Sequence, residues 1–187
     1  MFIVIEGGDG VGKTTLINNL KVARSEYVFT KEPNFNETTD KIRAVIDEGG
    51  LSTEAVAYLF GACRAEDTKK VILPALNEGK TVIADRYVYS SIVYQGLVGG
   101  MGVEEVRALN KWAMIEPNMV IILKGKSFKT TGENWLDDLG QGSEVGRAFE
   151  LLAENNPKLF KAVDVTDKTP EDILNEVLRL IDGVICE

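Results

Sequence analysis

The run Gly7-Gly8-Asp9-Gly10-Val11-Gly12-Lys13-Thr14 matches the pattern G-x-x-x-x-G-K-S/T at every fixed position. Such a loop works only between a buried strand and the start of a helix, so it restricts the fold more than any other feature here. Residues 2–6 supply an apolar run before it, and Lys13–Ala23 reads as the helix after it. Glycines let the backbone curl until successive N–H groups converge on phosphate oxygens, and the helix N-terminus adds partial positive charge. Lys13 is placed to reach the β- and γ-phosphates of a nucleoside triphosphate, and the Thr14 hydroxyl to ligate Mg2+. Gly8, Asp9, Gly10, Val11, Gly12, Lys13, Thr14 and Thr15 are the candidate ATP-binding residues.

Four further short runs, 27–31, 81–85, 119–123 and 162–166, are apolar or β-branched without alternation. Runs of that kind suit strands buried on both faces of a parallel sheet. Helical patterns separate them. One covers 40–47 and stops at Gly49-Gly50. A second follows a cap at Ser52 or Thr53 and aligns Val56, Leu59, Phe60 and Cys63. Others end near Glu78-Gly79, span 103–115, and run over 170–181 behind Thr169 and Pro170. Strand alternating with helix predicts one α/β domain over residues 1–187, a P-loop NTPase fold: a five-stranded parallel sheet with helices on both faces. Only 125–143, rich in Gly, Thr, Asn, Asp and Lys, loses both signals; it is the candidate lid after the fourth strand.

Composition narrows the chemistry. The 187 residues include no histidine, which removes Ser-His-Asp and Cys-His hydrolases and histidine-ligated zinc enzymes. A net charge of −8 argues against a nucleic-acid polymer as ligand but leaves room for a small phosphorylated molecule. Cys63 and Cys186 lack metal-ligand spacing and read as reduced thiols of a cytoplasmic compartment. No apolar run is long enough to span a membrane, and the N-terminal apolar run lacks the basic segment of a signal peptide.

Asp85-Arg86-Tyr87 closes the third apolar run, where open α/β sheets bind ligands. Asp85 suits support of Mg2+ or its waters, and Arg86 suits a bidentate grip on an anionic phosphate. A structural ion pair would account for the same two residues. Residues 6–15 (EGGDGVGKTT), Lys31-Glu32-Pro33 and residues 85–96 (DRYVYSSIVYQG) together resemble the thymidylate kinase family. Pro117-Asn118 and the Leu59-Phe60-Gly61-Ala62-Cys63-Arg64 segment add to the resemblance, which covers residues 1 to about 123 and the last strand and helix.

The resemblance implies roles residue by residue. Asp9 would accept a hydrogen bond from the sugar 3′-hydroxyl, and Arg43 and Arg86 would bind the acceptor monophosphate. Phe60 would stack on thymine while Arg64 and Ser91 hydrogen-bond its edge. Tyr94 would pack near the deoxyribose, disfavouring a 2′-hydroxyl, and Gln95 would line the same pocket. Plainer roles compete: Phe60 and Tyr94 also suit a core, and Arg43 a solvated helix surface. A cis bond near Glu32-Pro33 is allowed by the family. Its lids bear arginines, yet none stands between Arg107 and Arg147 here. Lys124, Lys126 and Lys129 occupy that stretch instead; Lys129 is the preferred catalytic substitute and Arg147 the alternative. The family also implies a homodimer through helices flanking the sheet, with Leu109, Trp112 and Met114 on one of them.

The expected activity is transfer of the γ-phosphoryl of ATP, with Mg2+, to dTMP, giving dTDP for DNA precursor synthesis. Lys13, Asp85, Arg86 and Lys129 are the candidate catalytic residues. The expected partners are ATP and dTMP, with no nucleic-acid polymer and no membrane. Three alternatives stand beside it: a kinase for another or 5-modified deoxynucleoside monophosphate, a deoxynucleoside kinase, and a non-enzymatic ATP-binding switch. Arg43 and Arg86 favour an acceptor that already carries phosphate over a nucleoside. Partition-type switches carry an extra lysine early in the loop, which Gly7-Gly8-Asp9 lacks.

Overall fold

The computed structural model describes residues 1–34, 37–125 and 142–185. Strand β1 (Phe2–Gly7) is buried along its whole length and runs through the middle of a five-stranded sheet. Its neighbours are β3 (Val82–Asp85) and β4 (Met119–Lys124), while β2 (Val28–Lys31) and β5 (Phe160–Asp164) form the edges. The order is β2-β3-β1-β4-β5, and every pairing is parallel. The register sets Ile5 opposite Asp85, so the phosphate loop and the Asp85-Arg86 corner leave the sheet side by side.

Period-two alternation divides the strand side chains between two cores. Ile3, Ile5, Ile83, Met119 and Ile121 pack under α1 (Lys13–Ala23) and α8 (Pro170–Ile185). These helices present Leu16, Ile17 and Leu20, and Ile173, Val177 and Ile181, at three- to four-residue spacing. Phe2, Val4, Val82, Ala84, Val120 and Ile122 face the opposite side, against α5 (Val88–Ser91), its π-helical continuation Ile92–Val98, and α7 (Gly142–Asn155). Each fully buried aliphatic side chain contributes roughly 1.5–3 kcal/mol, enough to tie every strand to both layers.

Helix α2 (Glu37–Asp47) packs on helix α3 (Thr53–Asp67), whose last residue, Asp67, accepts from the hydroxyl of Thr30 on the edge strand β2 at 2.8 Å. Ser52 is the cap of α3, its hydroxyl accepting from the Ala55 amide at 3.3 Å. A π turn over Thr68–Ile72 leads into α4 (Leu73–Asn77). The Glu32–Pro33 bond is cis.

Three elements differ from the sequence expectation. Strand β5 lies at Phe160–Asp164 rather than 162–166; Val163 and Val165 are both buried, but the ladder pairs Val120 to Lys124 with Phe160 to Asp164. Helix α6 (Val103–Leu109) stops six residues early because the buried Asn110 folds back, its side-chain amide donating to the Val106 carbonyl at 2.8 Å. Leu109, Trp112 and Met114 therefore do not share a helix, and Trp112 is 92% exposed. Residues 88–98 were missed as helical. Val88, Tyr89, Ile92 and Val93 are buried while Ser90, Ser91, Tyr94 and Gln95 line the cleft, so the helical period is present. The β-branched Val88, Ile92, Val93 and Val98 and the lack of a side-chain cap conceal it.

Candidate active site

A cleft of about 690 Å3 opens along the C-terminal edge of the sheet. Its donor end is the loop after β1. Gly10 and Gly12 have φ of 76° and 93°, left-handed values that disfavour any residue with a Cβ. Gly12 caps α1 without a side-chain hydrogen bond, which leaves the first-turn amides to a ligand. Lys13 is 7% exposed, and its ammonium donates to the carbonyls of Gly7 at 2.8 Å and Gly8 at 2.6 Å. Burial, and then the nearby Arg86 charge, lower its pKa to about 8. Asp9, Gly10, Gly12, Thr14 and Thr15 line the cleft beside it. Val11 instead inserts its side chain into the core, and Gly8 contributes its carbonyl to Lys13.

Arg86 joins the two ends. It has φ of 71°, and its guanidinium lies 5.7 Å from the centre of the Tyr94 ring. One terminal nitrogen, Nη1, donates to the Ser90 hydroxyl at 3.1 Å and approaches the Gly7 carbonyl at 3.5 Å; the other, Nη2, pairs with Asp9. Beneath this corner the carboxylate of Glu6 is fully buried. Burial raises its pKa, against the opposing pull of Arg86 and of hydrogen bonds from Ser90 and Tyr87.

The acceptor end is a wall of side chains. Arg64 on α3 is only 2% exposed and forms an ion pair with Glu32, from Nη2 to Oε2 at 2.6 Å and from Nε to Oε2 at 2.8 Å. It also donates from Nη1 to Asn110 Oδ1 at 2.5 Å and from Nη2 to the Ser91 hydroxyl at 3.2 Å. Four of its five N–H groups are thus used inside the protein. The expectation that Arg64 and Ser91 both face a base edge is therefore modified: they also bond to each other. Burial pushes Glu32 up to about 7, although the Arg64 charge pulls it down.

Phe60, Tyr94 and Gln95 line the same end of the cleft, and Gln95 Oε1 is buried with no partner among the described residues. Arg43 lines it from α2 while its Nε pairs with Asp47 on the same helix at 2.9 Å. Asp85 closes β3 with Lys31 Nζ 3.9 Å from Oδ2, and its Oδ1 is buried without a partner among the described residues.

Lys126 and Lys129, with most of the candidate lid, lie outside the described residues. Arg147 is an exposed residue of α7 away from the cleft lining. Sequence reasoning missed Glu6, Glu32, Ser90 and Asn110 as site builders. Glu6, Glu32 and Ser90 at least stood inside quoted motifs, whereas Asn110 carried no signal at all. Lys168, Pro170 and Ile173, which also line the cleft, were missed as well.

The family model for thymidylate kinases matches residues 5–130. A thymidylate kinase of Staphylococcus haemolyticus is 34% identical, the alignment covering 96% of each chain. One of Symbiobacterium thermophilum is 36% identical, over 99% of this chain and 94% of its own. The crystal structure of the Ehrlichia chaffeensis thymidylate kinase superposes with a TM-score of 0.82 at 27% identity, covering 97% of this chain and 98% of that one. Similarity that runs almost end to end, through both the loop that would take a donor and the wall that would take an acceptor, places the chain in the thymidylate kinase family.

Proposed function

We propose a division of labour for the reaction of this family, in which the γ-phosphoryl of ATP passes to dTMP to give ADP and dTDP. The observation that carries it is Arg86, whose guanidinium touches the phosphate loop at Asp9 and also lies over Tyr94 in the acceptor half. Loop amides and Lys13 hold the ATP phosphates, and Arg86 with Arg43 holds the phosphate of dTMP. Phe60 stacks on thymine. Gln95 Oε1 takes the base N–H, and the remaining N–H of Arg64, with Ser91, meets the keto oxygen. Tyr94 packs against the deoxyribose, and Asp9 accepts from the 3′-hydroxyl.

Phosphate oxygen attacks in line with no covalent enzyme intermediate. The acceptor is already an anion and needs no strong base, in keeping with a chain that lacks histidine. Lys129 is the lid cation in this reading, and the lid excludes water.

Mg2+ fits the donors present. Thr14 is exposed at the mouth of the loop, and Asp85 Oδ1 is buried without a partner among the described residues. So small a protein donor set suits an ion that keeps its waters and takes phosphate oxygens. Bound there, it supplies positive charge to the phosphates.

A homodimer in the cytoplasm completes the proposal. Exposed Trp112 and Tyr58 support the first part, and sedimentation tests it. No helix among the described residues is long and apolar enough to cross a membrane.

The test of the acceptor site is Arg86→Ala, assayed by ADP formation with a panel of deoxynucleoside monophosphates. ATP binding persists and dTMP phosphorylation falls about a thousandfold or more. Wild-type transfer to dTMP by this variant removes the acceptor site. ATP hydrolysis by the native chain that ignores every monophosphate favours the switch instead.

A further inference from the structure

The left-handed backbone at Arg86 costs about 1–2 kcal/mol for a residue with a Cβ. Something must hold it there, and Glu6 is in position to do so. Its Oε1 accepts from the backbone amides of Tyr87 at 2.9 Å and Ser90 at 3.0 Å. Its Oε2 accepts from the Ser90 hydroxyl at 2.7 Å. Tyr87 and Ser90 bracket the start of α5, which has no side-chain cap of its own. A carboxylate from the central strand therefore does the capping, fixing the turn on the C-terminal side of Arg86.

The same contacts set the side chain. A serine hydroxyl has one proton, and that proton is committed to Glu6. Its lone pairs are thereby left toward Arg86 Nη1, 3.1 Å away. An ionised carboxylate, which only accepts, takes three converging donors without conflict; an amide of the same shape does not. With glutamine at position 6, the new N–H2 faces the hydroxyl, which must turn to accept. Its proton then points at the guanidinium.

We propose that Glu6, acting through Ser90, is a positioning residue that sets the backbone and guanidinium of Arg86 for the acceptor phosphate without touching substrate. The inference rests on the proposed role of Arg86 in holding that phosphate, so Arg86→Ala is the benchmark. Glu6→Gln, Ser90→Ala and the double variant are compared with wild type by kcat/KM for dTMP and by ATP affinity without acceptor. Each single variant loses about tenfold in kcat/KM, the scale of one hydrogen bond to a charged group. ATP affinity stays within about twofold. The double variant loses little more than either single, because both break one chain of contacts. Ser90→Thr, which keeps the hydroxyl, recovers most of the activity that Ser90→Ala loses.

If Arg86→Ala itself leaves dTMP turnover intact, the acceptor reading fails. If Arg86→Ala abolishes turnover while Glu6→Gln and Ser90→Ala spare it, the positioning role is overturned. Losses that simply add, or that weaken ATP binding equally, overturn it too. Should Glu6→Gln fail to fold, the contrast between Ser90→Ala and Ser90→Thr decides alone: no loss with alanine, or no recovery with threonine, ends the proposal.

Discussion

On the proposed reading the donor phosphates sit where the cleft is made of backbone: consecutive residues from Gly7 to Thr14, bent at Gly10 and Gly12, whose amides would be the binding groups. Where the acceptor is to sit, it is made of side chains drawn from separate elements, with Glu32 after β2, Arg64 on α3, Ser91 on α5 and Asn110 after α6. The first half is short-range, since its groups follow from one local curve of the chain. It has space at Gly12, where an added Cβ meets no atom within 4 Å, though not at Gly7, where it would lie 2.6 Å from the Leu123 carbonyl oxygen. The second is long-range and brittle, since every member is buried and satisfied by another. A change of one side chain should therefore damage the wall more than a change at Gly12 damages the cradle.

The largest expected effect is on the wall. Above about pH 7, where Glu32 is ionised, Glu32→Ala leaves the Arg64 guanidinium buried without its counter-charge and should destabilise the fold by about 3–4 kcal/mol, measured by denaturant unfolding. A loss below about 1 kcal/mol would show that the wall is no more brittle than the loop.

The second effect is a pH dependence. Glu32 rises from an ordinary 4.5 to about 7, chiefly through burial. Between those values the folded chain holds a proton that the unfolded chain has released. Its contribution to stability is thus full below about 4.5 and lost as pH rises through about 7. Relative to Glu32→Gln, the native chain should lose up to about 3 kcal/mol of unfolding free energy across that window. A parallel pair of curves would show that Arg64 keeps the carboxylate ionised throughout.

The smallest effect belongs to the loop. At Gly12 an added Cβ meets no atom within 4 Å, so only the left-handed φ of 93° opposes Gly12→Ala. The cost should be about 1–2 kcal/mol in stability, with ATP binding weakened but detectable by calorimetry. A loss greater than that of Glu32→Ala would reverse the contrast.

The same contrast explains what could be read from the chain alone. The loop is contiguous, and so are the apolar strand runs, which is why residues 7–14 and the five-stranded parallel sheet were legible from residue types and spacing. Asn110 was not, because its partner Arg64 lies 46 positions away and nothing local marks either as a pair. Arg64 came only through a resemblance, which named a base contact but not the ion pair with Glu32 that takes two of its donors. The segment 88–98 escaped for a different reason: its helical period is there, but no side-chain cap announces it and Val88, Ile92, Val93 and Val98 are β-branched.

In the proposed site, with four guanidinium hydrogens of Arg64 spoken for, the fifth would serve the base as donor and Gln95 Oε1, buried without a partner among the described residues, would serve it as acceptor. A 4-keto pyrimidine shows the complementary order, a ring N–H beside an oxygen. Cytosine shows the reverse, a bare ring nitrogen beside an amino group, and would set like against like twice over. This pattern does not distinguish substituents at C5: thymine and its 5-substituted cousins present the pocket with one and the same face.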